Sequence, residues 1–513
     1  ISNKVFPFIA KEYFHSLRKL PIFTYISQAI KHNEIMQLIG RDKEKGILTE
    51  SFLSKEPEMV AVIGRRRVGK TFLVREVFKE KIDLEFTGIQ NTTSKPQIEN
   101  FHFLVNDFAD DKNDLPVPKN WLAAFRQLIT VLGKKRKIKR KRVLFFDELP
   151  WLASKKSGFL EAFGFFWNNW ASKQHILVII CGSAASWMIK RVVQNRGGLH
   201  NRITRRIYLK VFTLQETETY FHHRNIRLNR YQIVQLYMIM GGIPHYLKEV
   251  RVGKSAVQNI DDICFSEEGL LRDEFSSLYH ALFEKADNHI AVIRALGQKW
   301  KGLTRKEIVR LSGLKEGGGL TKVLTELIHS GFVTDYYPFG KKKKEMLYRL
   351  TDEYSLFYLH FIENKRLQER GMWKRLSQTS VYQSWSGYAF ESLCLKHISQ
   401  IKKTLEIGGI YSETTSFYFA GNEDLSGTQI DLLIDRNDGV INLCELKFYN
   451  DSFLLTKEYA KKLRLKRRIF TTISKTKKQI FITLISTFGL LPNKHSIGLI
   501  DNSMDVNALF VSS

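Results

Sequence analysis

Cysteine is scarce in this chain. Its 513 residues hold four (Cys181, Cys264, Cys394 and Cys444), far apart, with no CxxC pair. That argues against a disulfide framework and against a zinc site, and fits a reducing, cytoplasmic setting. Long hydrophobic runs are missing as well. The most apolar stretches, Ile176–Cys181 and Ile480–Leu491, are far shorter than the roughly 20 residues a bilayer span needs. The N-terminal apolar patches are broken by Lys11, Arg18 and Lys19, so no continuous signal-type segment forms. Acidic residues are in deficit, 52 Asp and Glu against 80 Lys and Arg, a net charge of +28. Such a surplus favours polyanionic partners, nucleic acid or a membrane surface, with a lysine-biased composition as the bland alternative. With no span and no signal, double-stranded DNA is the partner kept and a membrane is not. No internal repeat or low-complexity tract is evident, and the length implies two to four domains.

The chain begins with Ile1, while Met36 opens a segment, Met36-Gln-Leu-Ile-Gly-Arg-Asp, that reads like a domain entry. Residues 1–35 are therefore expected to be an upstream extension or an over-called start.

Val60-Ala-Val-Ile63 reads as a buried strand. It runs into Gly64-Arg65-Arg66-Arg67-Val68-Gly69-Lys70-Thr71 and then into an amphipathic helix, the full GxxxxGK[ST] pattern in strand–loop–helix context. Gly64 and Gly69 let the backbone curl so that its N–H groups face phosphate oxygens. Lys70 reaches the terminal phosphates, and the Thr71 hydroxyl is placed to ligate Mg²⁺ at a helix N-terminus whose dipole favours anions. A second strand, Arg142-Val-Leu-Phe-Phe146, ends in Asp147-Glu148. An Asp there can hold Mg²⁺ through water, and the Glu can activate the attacking water. A third, Ile176–Cys181, closes on Gly182-Ser183, a polar tip able to sense the γ-phosphate. Beyond it lies Gly197-Gly-Leu-His-Asn-Arg202-Ile-Thr-Arg205-Arg206, a Gly-hinged basic segment. Its arginines could serve a neighbouring subunit's nucleotide or simply face solvent or DNA.

Together with Ile39-Gly-Arg41, Phe145–Leu152, Cys181–Trp187, Leu199–Arg202 and Gly241-Gly-Ile-Pro244, these motifs resemble the archaeal/bacterial ATPase family of the AAA-like and STAND P-loop NTPases. The resemblance covers roughly residues 36–285. It implies ATP and Mg²⁺ as cofactors, Ser183 at the sensor-1 position, Arg202 as arginine finger with Arg205 second, and Gly242 and Pro244 in a helical lid over the base. The basic loop Arg65–Arg67 departs from the family pattern and is expected to leave the backbone phosphate contacts intact. A homo-oligomer and a protein partner both stay open.

Downstream, His289–Gln298, Leu303–Leu314 and Leu320–Gly331 read as three helices, the second with a Thr304/Glu307 capping box. Phe332–Phe339 and Glu345–Leu350 read as strands flanking Gly340-Lys341-Lys-Lys-Lys344. This is the pattern of a winged helix with a lysine tip, suited to phosphate contacts or merely a soluble turn. The basic run Lys134–Arg142 is similarly a solvated loop or an electrostatic footprint.

In the last third, Trp385–Ile398 reads as a helix bearing Glu391. Gln429–Ile434 and Val440–Lys447 read as strands joined by the turn Arg436-Asn-Asp-Gly439. Thirteen residues separate Asp431 from Glu445, and Lys447 follows at i+2 on the same strand face. Two such carboxylates can share Mg²⁺ while the lysine positions water. Glu391, Asp431, Glu445 and Lys447 resemble the PD-(D/E)xK nuclease pattern over roughly residues 380–513; a fold that kept binding and lost cutting stays open. Lys457–Lys478 reads as a basic helix, and Gln479–Ile485 and Ile497–Ile500 as further strands.

The expected architecture is α/β. It comprises an N-terminal extension (1–35), a P-loop NTPase parallel-sheet core (36–210), a helical lid (211–285), a winged helix (286–362) and a second α/β, restriction-endonuclease-like domain (363–513). The expected catalytic residues are Asp147, Glu148, Ser183, Arg202, Glu391, Asp431, Glu445 and Lys447. Metal contacts are expected from Thr71, Asp147, Asp431 and Glu445. Three functions stay in view: an ATP-dependent DNA-directed machine, a nucleotide switch or scaffold, and a DNA-binding regulator.

Overall fold

Short runs of β-branched and aromatic residues build the first sheet in the computed structural model. The structure describes residues 38–109, 115–136, 138–154, 156–194, 197–199, 201–341, 345–363 and 371–512. The extension 1–35 with Met36, Lys137 of the basic run, His200, and Lys342–Lys344 of the lysine tip lie outside the described residues. Two compact units divide the chain, Ile1–Arg41 and Asp42–Ser513. In the first, residues 38–41 are described and carry no helix or strand.

In the second unit, β1 (Glu58–Ile63) is buried at all six positions and leads into α1 (Lys70–Phe78). β2 (Ile82–Thr87), β3 (Arg142–Asp147), β4 (Ile176–Gly182) and β5 (Arg205–Tyr208) complete a sheet of order β2-β3-β4-β1-β5, every pair parallel. Helices α2 (Ser94–Ala109) and α3 (Trp121–Lys134) pack against it through Phe101, Trp121 and Phe125. Central strands buried on both faces read as continuous apolar runs, which is why β1, β3 and β4 are legible in sequence. β2 and β5 are the edges and were not foreseen. β2 alternates polar and apolar residues, and β5 buries only Ile207. Arg205 and Arg206 thus lie on an edge strand, a correction to the Gly-hinged segment expected there.

Helices α4 (Leu214–His223), α5 (Arg230–Met240) and α6 (Glu274–Leu282) follow. Next come α7 (Ala286–Gly297), α8 (Arg305–Ser312) and α9 (Gly318–His329), with a three-stranded antiparallel sheet of β6 (Leu303–Thr304), β7 (Val333–Tyr336) and β8 (Leu347–Leu350) in the order β6-β8-β7. The Thr304/Glu307 capping box is present. Leu303 and Thr304 pair with β8 instead of opening the helix, because Thr304 is the extended N-cap.

α10 (Glu353–Phe361) and α11 (Ser380–Lys396) lead to a mixed sheet of order β15-β13-β11-β10-β9. Its strands are β9 (Ser412–Gly421), β10 (Ser426–Arg436), β11 (Val440–Lys447), β13 (Gln479–Ser486) and β15 (Asn502–Met504). β10 is antiparallel to both neighbours, while α12 (Lys457–Ser474) makes the crossover between parallel β11 and β13. A small ladder joins β12 (Phe453–Leu454) to β14 (Leu490–Leu491). Ile497–Ile500, expected as a strand, is mostly turn; the closing strand β15 begins at Asn502. One hydrophobic core covers the first sheet, from Met59 to Ile203, and another runs from Phe212 to Phe510. The C-terminal sheet adds two smaller clusters of its own, around Leu433 with Phe470 and around Leu463 with Leu484.

Candidate nucleotide site and C-terminal cavity

Gly64 ends β1 so close to the next segment that a Cβ would stand 2.5 Å from the Leu209 carbonyl oxygen, so only glycine fits. Gly69, with φ +89°, turns the chain into α1, whose first N–H groups have no intrahelical acceptor. The buried Lys70 ammonium donates to the Arg65 carbonyl (3.0 Å) and to Ser183 Oγ (2.8 Å). Thr71 Oγ1 donates to Asp147 Oδ2 (2.7 Å), and Asp147 Oδ1 accepts the Glu148 N–H (3.0 Å). Glu148 leaves β3 in the left-handed region (φ 47°), and both its carboxylate oxygens accept from Ser183, one from the N–H (3.0 Å) and one from the hydroxyl (2.5 Å).

Strand order explains this convergence. β4 lies between β1 and β3, so Ser183 at its tip meets Lys70 on one side and Glu148 on the other. A Thr hydroxyl beside a buried Asp, at a helix N-terminus, fits Mg²⁺ whose remaining ligands come from phosphate and water.

The loop arginines point elsewhere. Arg65, 7% exposed, is ion-paired at 2.5 Å with Asp352, and its guanidinium lies 4.5 Å from the Phe332 ring centre. Burial would raise the Asp352 carboxyl, but Arg65 and the Ser355 hydroxyl outweigh it and hold it below its ordinary value. Arg67 is ion-paired with Glu274. Arg66 is half-buried, and Val68 is buried. Side chains of Arg65 and Arg67 thus brace the loop, leaving its N–H groups for phosphate. Arg202 is exposed, with its N–H on the Leu199 carbonyl. Gly242 (φ +66°) accepts the Phe212 N–H at 2.8 Å, and Pro244 opens the short helix Pro244–Leu247.

In the C-terminal sheet, the β10/β11 pairing runs from Asp435↔Ile441 to Leu432↔Cys444, so Asp431 and Glu445 are the residues next beyond its last pair. The four expected residues lie within electrostatic reach of one another, since, besides burial, Asp431 and Glu445 raise the Glu391 carboxyl and Lys447 lowers it. A cavity of about 430 Å³ is lined by Glu391, Asp431, Gln429, Tyr388, Lys466 and Lys301, among others, and by neither Glu445 nor Lys447. Glu445 is 8% exposed and fully engaged. Tyr459 O–H and Lys447 Nζ (2.9 Å) meet one oxygen, and Lys466 Nζ (2.9 Å) meets the other. Burial pushes the Glu445 carboxyl up, but Lys466, Lys447 and Tyr459 bring it down to about 2. Burial, reinforced by Asp431, raises Glu391 to about 8. Asp431 also accepts from the Gln429 amide. Among the described residues no three His, Cys, Asp or Glu converge to hold a metal. With Glu445 spoken for, the C-terminal residues as arranged do not fit a divalent ion.

Lys466, Tyr459 and Lys301 were not singled out from sequence. Tyr459, Lys462 and Lys466 recur at helical spacing on α12, which was the available signal; nothing pointed to Lys301 or Asp352.

Residues 39–250 match the family model of an ATPase domain predominantly from Archaea. A protein of Methanocaldococcus jannaschii of uncharacterised function is 22% identical over 414 residues, 80% of this chain and 87% of that one. Among solved structures, the Walker-type ATPase of Pyrococcus abyssi aligns with TM-score 0.46 and 17% identity, covering 63% of this chain and 96% of its own. The Aeropyrum pernix ORC2 protein aligns with TM-score 0.41 and 12% identity, covering 68% and 97%. The parallel sheet, the phosphate-loop geometry and the family match together place a P-loop ATPase domain at residues 39–250. Among the described residues no helix is long and apolar enough to cross a membrane.

Proposed function

We propose that the chain is an Mg²⁺-dependent ATP hydrolase whose nucleotide cycle serves a nucleic-acid-directed C-terminal half. Supporting this reading is the chain of contacts Lys70–Ser183–Glu148 beside Thr71–Asp147. Mg²⁺ held by Thr71 and, through water, by Asp147 would neutralise charge on the phosphates. Lys70 binds the terminal phosphates in exchange for its Ser183 contact. Glu148, released from Ser183, orients and deprotonates the attacking water. Ser183 sits where it senses both events. Arg202, with Arg205 second, is read as a finger toward a neighbouring copy, and Gly242 and Pro244 as part of the lid. Residues 286–362 are read as a winged helix contacting double-stranded DNA. Residues 363–513 are read as a nuclease-like domain with Glu391, Asp431, Glu445 and Lys447 as its motif.

A second reading is a STAND-type nucleotide switch whose nuclease-like domain binds without cutting. It is favoured by one observation: every oxygen of Glu445 is engaged by Tyr459, Lys447 or Lys466. ATP turnover of the purified chain, with and without duplex DNA and beside Lys70→Ala and Glu148→Gln, separates the two. Turnover stimulated by DNA and lost in both variants supports the hydrolase. Tight ATP binding with negligible, DNA-indifferent turnover supports the switch.

A further inference from the structure

The cavity is built from two parts of the chain. Glu391 and Tyr388 come from α11, Asp431 and Gln429 from β10, Lys462 and Lys466 from α12, and Lys301 from the loop before β6. Its aromatic wall is braced in the same way. Tyr388 stacks on Trp300 with ring centres 4.9 Å apart and planes within 10°, and Trp300 stacks in turn on His360 at 4.2 Å. Lys301, adjacent to Trp300, lies over the Tyr418 ring of β9. A space of about 430 Å³ suits one small ligand and is far too small to admit a duplex.

We propose that this cavity binds one unpaired nucleotide of a single-stranded nucleic acid, with a built-in cation, Lys466 supported by Lys301 and Lys462, in the place of a divalent ion. The proposal rests on the nucleic-acid-directed reading of the C-terminal half. Lys466 already neutralises Glu445 at 2.9 Å while facing the cavity that holds Asp431 and Glu391, so the local positive charge is supplied by the chain. Three ammonium groups suit a phosphodiester, and the braced Tyr388 offers a ring on which a base can stack. Asp431 and Glu391 can accept hydrogen bonds from base amino groups or sugar hydroxyls. No bond is made or broken: the site holds a strand.

Fluorescence anisotropy with the full chain tests this, using labelled oligothymidylate, oligouridylate and a hairpin duplex, in EDTA and in Mg²⁺. The single strands are expected to bind equally well in both buffers. The slope of log affinity against log salt should fall by about 0.7 for each of Lys466→Met and Lys301→Ala, and the two oligonucleotides distinguish DNA from RNA as the natural strand. Unchanged ATP turnover reports that each variant is folded. Manganese titration without nucleotide, followed by electron paramagnetic resonance, supplies an independent readout. Wild type should show no site sensitive to Asp431→Asn, whereas Lys466→Met should gain one. Binding in Mg²⁺ alone, unchanged salt slopes in both lysine variants, or an Asp431-dependent manganese site in wild type would overturn the proposal and leave the nucleic-acid-directed reading standing. No binding in either buffer would overturn both.

Discussion

The guanidinium of Arg65, in the phosphate loop, lies 2.5 Å from the carboxylate of Asp352, 287 positions further along the chain. The other Asp352 oxygen accepts from the Ser355 N–H (2.9 Å) and hydroxyl (2.6 Å), capping α10. Its neighbour Glu353 is ion-paired with Lys396 at the end of α11 (2.6 Å). The next residue, His397, accepts the Leu214 N–H where α4 begins (3.1 Å). Buried polar contacts thus join the phosphate loop to the helix that carries Glu391.

Breaking this pair from one side leaves a buried charge. Asp352→Asn is expected to destabilise the chain by about 3–5 kcal/mol, whereas Arg65→Met combined with Asp352→Asn costs much less, because neither charge is then stranded and the cap on Ser355 is kept. Urea unfolding of the three proteins measures both. Equal losses in the single and double variants would show that the pair does not act as a unit.

Lys70→Ala and Glu148→Gln should fail differently. Removing the ammonium weakens ATP binding itself. With Glu148 as the proposed general base, Glu148→Gln keeps binding and lowers turnover by about 100-fold or more. Equilibrium binding of a fluorescent ATP analogue, set beside phosphate release, distinguishes them. Full turnover in Glu148→Gln would remove Glu148 from the chemistry.

Ser183→Ala removes the bridge between Lys70 and Glu148. A hydrogen bond to a charged group contributes about 1.5–3 kcal/mol, so turnover should fall by roughly 10- to 150-fold. Because Ser183 is freed to sense the terminal phosphate once Lys70 and Glu148 leave it, kcat should fall more than ATP affinity. A variant with the wild-type rate would mean that Ser183 serves packing alone.

His397 gives a pH signature. Its Nδ1–H donates to the Leu393 carbonyl (2.9 Å) while Nε2 accepts from Leu214, so the folded imidazole is neutral. Burial, against the pull of the Leu393 carbonyl, lowers its pKa from 6.5 to about 4. A folded pKa below the unfolded one means that stability is full above pH 6.5 and is lost as pH falls toward 4. His397→Gln should therefore lose less of its urea midpoint than wild type between pH 7 and pH 5. Parallel midpoints across that range would refute the assignment.

Much of this was legible in the residues themselves. The phosphate loop, the acidic strand tip, the Ser183 tip and the Thr304/Glu307 capping box all sit on the expected elements, because each is a local pattern of a few residues. The edge strands β2 and β5 were missed because a half-buried strand lacks a continuous apolar run. Glu391 and Asp431 do line one cavity, but two of the three groups that engage Glu445, Tyr459 and Lys466, were not legible until α12 was laid across the sheet.

The amino-acid sequence alone determined the phosphate loop, the acidic strand tip and the central strands, since periodicity, glycine conformation and capping act within a few residues. The tertiary structure alone decided that the loop arginines grip Asp352 and Glu274 and that Lys466 settles on Glu445. It also decided that Lys301 reaches a cavity formed mainly by residues more than eighty positions away. A charged side chain carries no local mark of its partner. Where it ends up depends on which buried opposite charge the fold brings within reach, and that is set by packing across the whole chain.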